Sequence, residues 1–452
     1  MVTRRRFLEL GGIVAVSKAS GALELRTGVL AAPDYSLEIA PCEVEIGTKR
    51  KIKTVAYNGQ VPGPLLRFRE GQPVTIEVTN RSEDAEVVHW HGLFLPSEVD
   101  GAMEEGTPMI APGTRTRMTF VPKPAGFRWY HTHTAANGDF RKAQFGGQHG
   151  FLLIEPRENP AAYDQEIFLA LHDWEGTMLA SDDGSMNPSY RYSTVNGRMA
   201  GFGEPLRVRE GQRVLFHILN ASPTDVHWLA FTGHTFRVLA LDGNAVPNPS
   251  LASMLRLAPA ERVCAIVEMK NPGVWGLGEV RKHIQAAGMA IHVEYAQRSG
   301  DAKWEQPQSL VWNYEQFAVK DDGKWDDDGV VEIPLVFESK FRGHGAADHW
   351  MINGKSYPDT ETIALTRGQR YRLRFKNKSL DDHPVHLHRH SFEVRNASVG
   401  GAQRGLIKDV ILVDAKTEAA VEFVADNPGM TLFHCHQQDH MDNGFMMLFC
   451  YA

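Results

Sequence analysis

Four cysteines among 452 residues, Cys42, Cys264, Cys435 and Cys450, exclude a disulfide-dense scaffold. No run of 18 apolar residues occurs, which predicts that no helix spans a membrane. A basic block is also missing beyond the extreme N-terminus. With 48 basic against 55 acidic residues the net charge is −7, so a nucleic-acid partner has no electrostatic footing. Helical periodicity is scarce, and no dinucleotide fingerprint is present; Gly146-Gly147 stands alone, outside any strand–GxGxxG–helix pattern. A chain this long exceeds one ordinary core and suits about two to four domains.

What is present is a threefold repeat. Leu66 to Asn80 reads LRFREGQPVTIEVTN, Leu206 to Asn220 reads LRVREGQRVLFHILN, and Leu365 to Asn377 reads LTRGQRYRLRFKN. Each is a Gly-Gln turn followed by alternating residues, the period of a half-buried strand. An Asn-Gly pair precedes each, at Asn58-Gly59, Asn196-Gly197 and Asn353-Gly354, and the glycine-to-glycine spacings are 12, 14 and 14 residues. The copies also end alike: His131, Gly278 and His434 each lie five residues after a glycine, Gly126, Gly273 and Gly429. Domains are therefore expected at about 33–156, 160–300 and 330–452. Short runs rich in Val, Ile, Phe and Thr between Gly and Pro turns predict an all-β fold of sandwiches. The acidic stretch Asp321 to Gly329 reads as a solvated linker.

Ten of the twenty histidines fall in four clusters: His89 and His91; His131 and His133; His383, His386 and His388; His434, His436 and His440. His89 lies 18 residues after Gly71, and His386 lies 18 after Gly368, so the first and third repeats carry matched His-x-His pairs. The middle repeat has lost both pairs, although His227 is nearby. Residues i and i+2 of a strand share a face. Four such pairs present eight imidazoles, which converge if the first and third domains face each other. Neutral imidazoles suit transition metals, and copper heads the usual affinity order. Cys435 lies between His434 and His436, so on a strand it points the other way. Its expected partners are His383 and His440, a His2Cys set of the electron-transfer kind. His149, His172, His217, His234, His283, His292, His344, His349 and His390 read as ordinary core or surface histidines. An oxidising compartment would permit a bridge among Cys42, Cys264 and Cys450, with no pairing indicated.

The motifs HWHG, HTH, HPVHLH and HCHQQDH resemble those of the multicopper oxidases, the family of laccases, bilirubin oxidases and bacterial cuprous oxidases. The resemblance runs from about residue 35 to the end. It implies three cupredoxin-like Greek-key β-sandwich domains and four copper ions. By that resemblance His383, Cys435 and His440 hold a type 1 copper, and His89 and His386 a type 2 copper. His91, His131 and His436 hold one type 3 copper, and His133, His388 and His434 the other. Phe445 stands where the family has an axial Met or an apolar non-ligand, with Met446 one step beyond. Loss of an axial sulfur favours Cu(I) and raises the potential. Asp100, nine residues after His91, matches the family acid that relays protons. A second acid would stand at Met441, flanked here by Asp439 and Asp442.

The activity so implied is laccase-like: one-electron oxidation of phenols or aromatic amines, coupled to reduction of O2 to two waters. A cuprous or ferrous metallo-oxidase is the alternative, and dispersed methionines favour the aromatic donor. A non-enzymatic scaffold and a two-domain nitrite reductase fit the retained histidines poorly. At the N-terminus, Thr3 to Leu8 reads TRRRFL before a weak apolar stretch. It resembles a twin-arginine export signal, so residues 1–32 are expected to address the chain to the periplasm or outside through that machinery.

Overall fold

The computed structural model describes residues 32–156, 162–180, 186–307, 309, 311–320, 328–340, 348–397 and 403–451. The twin-arginine pattern, and residues 321–327 of the acidic stretch, lie outside these. The three Asn-Gly pairs build one turn three times. Asn58, Asn196 and Asn353 take left-handed φ values of 52°, 53° and 51°, and the following glycines 68°, 70° and 76°. Two successive residues at positive φ make a type I′ turn, for which Asn-Gly is the favoured pair. Each Asn side chain then clamps a neighbouring strand, accepting from the amides of Glu38, Ala170 and Val336 and donating to the carbonyls of Ser36, Phe168 and Pro334.

The repeated motif ends in an asparagine for a second reason. Asn80, Asn220 and Asn377 are buried. Each donates to two carbonyls, those of Asp84 and Ile110, Asp225 and Leu257, and Asp381 and Val413. Each also accepts from the amide two residues on, at Ser82, Ser222 and Ser379. A buried amide is tolerated only with its donors and acceptor satisfied, so the residue is as repeated as its surroundings.

Three β-sandwiches result. In the first, the sheet Arg50–Tyr57, Tyr35–Gly47, Val74–Asn80, Arg115–Phe120 faces the sheet Gly63–Arg69, His149–Glu155, Gly126–Thr132, Val88–His89. Alternating burial along Val74–Asn80 packs Ile76 and Val78 against Leu152 and Ile154. The third domain repeats the plan. Its six-stranded sheet is centred on Arg370–Asn377, and its five-stranded sheet runs Ile363–Leu365, Met446–Tyr451, Thr431–Cys435, His383–Leu387, Val410–Val413. The middle domain does the same with Leu206–Val208, Ala290–Tyr295, Val274–Glu279, His227–Phe231 and Leu255–Leu257. One continuous apolar core runs through the middle and third domains, including Phe216, Phe231, Phe375 and Phe433. Each such ring contributes roughly 1.5–3 kcal/mol on burial. No helix among the described residues is long and apolar enough to cross a membrane. All four cysteines are free thiols.

Candidate metal centre

The strand register brings the histidine pairs together. Across Val88–His89 and Gly126–Thr132, His89 pairs with His131; across His383–Leu387 and Thr431–Cys435, His386 pairs with His434. Side chains leave each strand towards a single region between the first and third domains. Three all-histidine groups form there, His89, His91 and His386; His91, His131 and His436; and His133, His388 and His434, with Asp100 beside His89 and His388; a separate group, His383, Cys435 and His440, lies within the third domain. All members are buried and, within each group, their ligand atoms lie within 4.8 Å of one another. Cys435 thus parts from both flanking histidines, as alternation along a strand requires.

On six of the eight rings one nitrogen is held from outside, while His133 Nδ1 and both nitrogens of His436 have no partner. His89 Nδ1 meets the Asp100 carbonyl at 2.9 Å, and His386 Nδ1 the Asp409 carbonyl at 2.7 Å. His131 and His434 use the carbonyls of Thr132 and Cys435, each at 2.8 Å. His388 Nδ1 lies 3.0 Å from Asp100 Oδ2, and His91 Nε2 3.2 Å from Asp409 Oδ1. The opposite nitrogens, among them His89 Nε2, His91 Nδ1, His131 Nε2 and His386 Nε2, are buried without a hydrogen-bond partner. Buried polar atoms are rarely orphaned, and an outer-shell acceptor that fixes the tautomer is how proteins aim an imidazole at a metal. Burial, with mutual repulsion among the rings, holds His91, His131, His388, His434 and His436 far below the usual histidine range, and His386 at about 4. Neutral imidazole is the ligating form.

In the other group, Cys435 Sγ lies 3.7 Å from His383 Nδ1 and 3.6 Å from His440 Nδ1, and the two nitrogens are 3.1 Å apart. An ion at the centre of that triangle would sit about 2 Å from each donor, the length of a metal–nitrogen bond. Burial lowers His383 to about 3 and raises the Cys435 thiol, so the trio is uncharged without a cation. His383 Nε2 is tied inward to Ser379 Oγ at 2.8 Å. His440 Nε2 points instead towards Asp439 Oδ2, 4.0 Å away. The Phe445 ring closes one side, 4.7 Å from the His383 ring, and the Trp350 indole lies over His440 at 3.9 Å between ring centres. Both groups fit transition-metal ions, the second by its soft thiolate and trigonal shape.

The His89 and His388 rings stack at 4.0 Å, and Asp100 Oδ2 meets the edge of both, 3.2 Å from His89 Nδ1 and 3.0 Å from His388 Nδ1. Glu105, which the sequence reading passed over, adds a second carboxyl 3.5 Å from His388 Nδ1 and accepts the Leu432 amide at 2.6 Å. Burial and the neighbouring Asp100 raise its pKa well above the usual carboxyl range. It is brought back by Met103–Glu105, a single 3-10 turn that follows Asp100 and has no periodic mark in the sequence. Asp409 and Trp350 were also missed. Asp442 accepts the Ala136 and Asn137 amides at the edge of the site, and Asp439 lies beside His440. Among the described residues the remaining histidines lie apart, His217 between Cys264 and Glu166 and His390 on Tyr451; His344 lies outside the described residues.

Sequence models described as multicopper oxidase match residues 38–159, 162–292 and 334–452. A multicopper oxidase of Mycobacterium tuberculosis is 28% identical over 443 residues, covering 89% of this chain and 84% of its own length. The copper resistance protein A of Escherichia coli is 23% identical over 562 residues, covering 91% of each. Among solved structures, a multi-copper oxidase of Pseudomonas thermotolerans aligns with a TM-score of 0.72 at 27% identity, over 92% of this chain and 98% of that one. The three sandwiches are accordingly cupredoxin-like.

Proposed function

Because the chain belongs to the multicopper oxidase family, we propose that it oxidises phenols or aromatic amines one electron at a time and reduces dioxygen to two waters. The observation that carries the reading is the set of converging, buried donor groups whose inward atoms have no other partner. Four copper ions suit it: one at His383, Cys435 and His440, one at His89 and His386, one at His91, His131 and His436, and one at His133, His388 and His434. Copper bound there supplies one-electron exchange at the thiolate and four-electron chemistry on dioxygen among the eight imidazoles.

The chain's own residues do the rest. Cys435 is joined through the main chain to His434 and His436, so an electron accepted on the thiolate side has a short covalent path to the imidazole set. Electrons enter at His440, since His383 is tied inward. The buried indole of Trp350 covers His440 with an apolar face. The Phe445 ring beside His383 presents only carbon to this donor group, which would favour the reduced form and a high potential of a copper held there. Asp100 relays protons, its carboxylate at His388 and its carbonyl at His89. Export by the twin-arginine route places the mature chain in the periplasm or outside; the double variant Arg4→Lys, Arg5→Lys is expected to leave it in the cytoplasm on fractionation.

A second reading is a cuprous or ferrous oxidase. It is favoured by the Asp439 carboxyl beside His440 Nε2, which burial and Asp442 push up to about 7 so that a cation would be met only by its ionised form, and by the copper resistance protein among the relatives. Dioxygen uptake at matched concentrations of a phenol and of Cu(I) decides between them. Turnover on the phenol is expected; turnover on Cu(I) alone would replace the aromatic reading with the second one.

A further inference from the structure

The middle domain offers no ligand to the four groups, yet it reaches the imidazole set through Arg262, with Asp242 beside it. Arg262 is fully buried. Its Nη1 donates to Asp409 Oδ1 and its Nη2 to Asp409 Oδ2, both at 2.6 Å. This is the two-pronged geometry that fixes a carboxylate in orientation as well as in place. The same guanidinium is anchored to its own domain by the carbonyls of Ala260 at 3.1 Å and Asp242 at 3.0 Å. The Asp242 carboxylate completes the hold, accepting the amides of Asp409 at 3.3 Å and Val410 at 3.2 Å. Main chain and side chain of Asp409 are therefore both pinned by the middle domain.

Asp409 in turn serves two imidazoles from two different domains. Its carboxylate accepts from His91 Nε2 of the first, and its carbonyl from His386 Nδ1 of the third. Those bonds leave His91 Nδ1 and His386 Nε2 as the free inward atoms. Arg128 of the first domain adds a contact to Asp409 Oδ2 at 3.3 Å, and Lys408 bridges Asp242 at 2.8 Å and Glu261 at 3.0 Å. Three cations and three anions thus close on each other in a buried junction of all three domains. The packing leaves no slack: a Cβ on Gly92, next to His91, would fall 2.6 Å from Asp409 Oδ2 and 2.9 Å from Arg262 Nη2.

We propose that Arg262 is a positioning residue for the imidazole set, acting through Asp409 to fix the ring orientation and tautomer of His91 and His386, so that the ligand-free middle domain is part of the metal site's support. The inference rests on the multicopper reading above. An Asp409 released from the fork can rotate: His91 then loses the carboxylate that aims it, and the segment that offers its main-chain carbonyl to His386 loses one of its anchors.

The test uses the full, copper-loaded chain and compares Arg262→Met with Arg262→Lys. Copper per chain after dialysis against a chelator, and the electron paramagnetic resonance signal of the type 2 ion, report the imidazole set. The thiolate band reports the distant Cys435 site in the same sample. Arg262→Met is expected to keep the thiolate band and to weaken metal retention at the imidazole set by about 10- to 100-fold, the usual cost of removing an outer-shell partner. Arg262→Lys, with the charge but not the fork, should recover retention in part and show shifted type 2 hyperfine splitting. If Arg262→Met does not fold, the pair Arg262→Met, Asp409→Asn, which removes both buried charges, carries the same expectation. Wild-type copper retention and an unchanged type 2 spectrum in these variants would overturn the proposal. A wild-type protein that lacks the thiolate band would overturn the multicopper reading itself, and this inference with it.

Discussion

The same two positions face each other in all three domains and do three different things. Counting from the paired strands, His383 and Cys435 of the third domain correspond to His227 and Glu279 of the middle one and to Glu86 and Thr132 of the first. Each pair is in contact, at 3.7, 3.1 and 3.1 Å respectively. In the third domain burial keeps His383 neutral, its pKa down at about 3, and ready to ligate. In the middle domain burial also pulls His227 down, but Asp173 and Glu279 on its two nitrogens more than reverse it, to about 10. There the imidazole is a cation and its ion pairs occupy both ring nitrogens. In the first domain the pair is a plain hydrogen bond. A cupredoxin-like sandwich supplies a buried, opposed pair of side chains; whether it becomes a metal site, an ion pair or a hydrogen bond depends on what flanks it.

One step along the strands the contrast repeats. His89 with His131 and His386 with His434 correspond to Ala230 with Gly278. A Cβ on Gly278 would lie 2.5 Å from the Met289 carbonyl oxygen. The middle domain has filled with backbone the space in which its neighbours keep imidazoles.

The comparison breaks most visibly at Cys435. Cys435→Ser removes the soft ligand, so absorption near 600 nm should vanish and oxidase turnover fall by about 10^3-fold or more, while far-ultraviolet dichroism is unchanged. Next comes Glu279→Gln. Removing one partner of a buried ion pair costs about 3–5 kcal/mol, so denaturant unfolding should show a loss of that size with the 600 nm band intact. Were the band to disappear with Glu279, the middle-domain pair would not be the separate structural element described here.

Acidity sharpens the contrast between His383 and His227. The His227 pKa is raised, so its contribution to stability is fully present below about 6.5, the unfolded value, and is lost as pH rises through about 10. Glu279, pulled down to about 2 by its partners His227 and Arg281 against its burial, loses its contribution only in strong acid. The stability difference between wild type and His227→Gln, followed by thermal melts, should therefore be largest near pH 5–6 and shrink towards pH 10. A difference that grows with pH would mean that His227 is neutral.

Smaller effects probe the remaining positions. Phe445→Met would offer a metal held by His383, Cys435 and His440 an added sulfur; its potential should drop, with about 59 mV corresponding to a tenfold change in a one-electron equilibrium. Redox titration of the blue band reads it. Glu86→Gln keeps the Thr132 hydrogen bond in neutral form and should change stability by no more than about 1 kcal/mol, with turnover unchanged.

How much of this was legible in the chain itself follows the distance over which each contact is made. The repeat, the β-sandwich architecture and the His-x-His pairs are local patterns of spacing. The opposite facing of Cys435 follows from strand alternation alone, and the absence of a pair in the middle domain from counting. Asp409 could not be found that way: it meets His91 across 318 residues, and its neighbours carry no metal-like motif. Arg262 and Trp350 are hidden for the same reason, since their roles come from packing between domains and against a folded-back strand. Glu105 lay only five residues beyond Asp100, but its turn had no periodicity to mark it. Asp409, Arg262, Trp350 and Glu105 support the ligands or cover them, and their positions depend on tertiary contact.

The most direct measurement is diffraction at the copper absorption edge from crystals of the copper-loaded protein. Four anomalous peaks are predicted, one bonded to Cys435 Sγ with His383 and His440, and three grouped among the eight imidazoles of the first and third domains. A peak bonded to Cys435 within that group of three, or no thiolate-bound copper at all, would contradict the account.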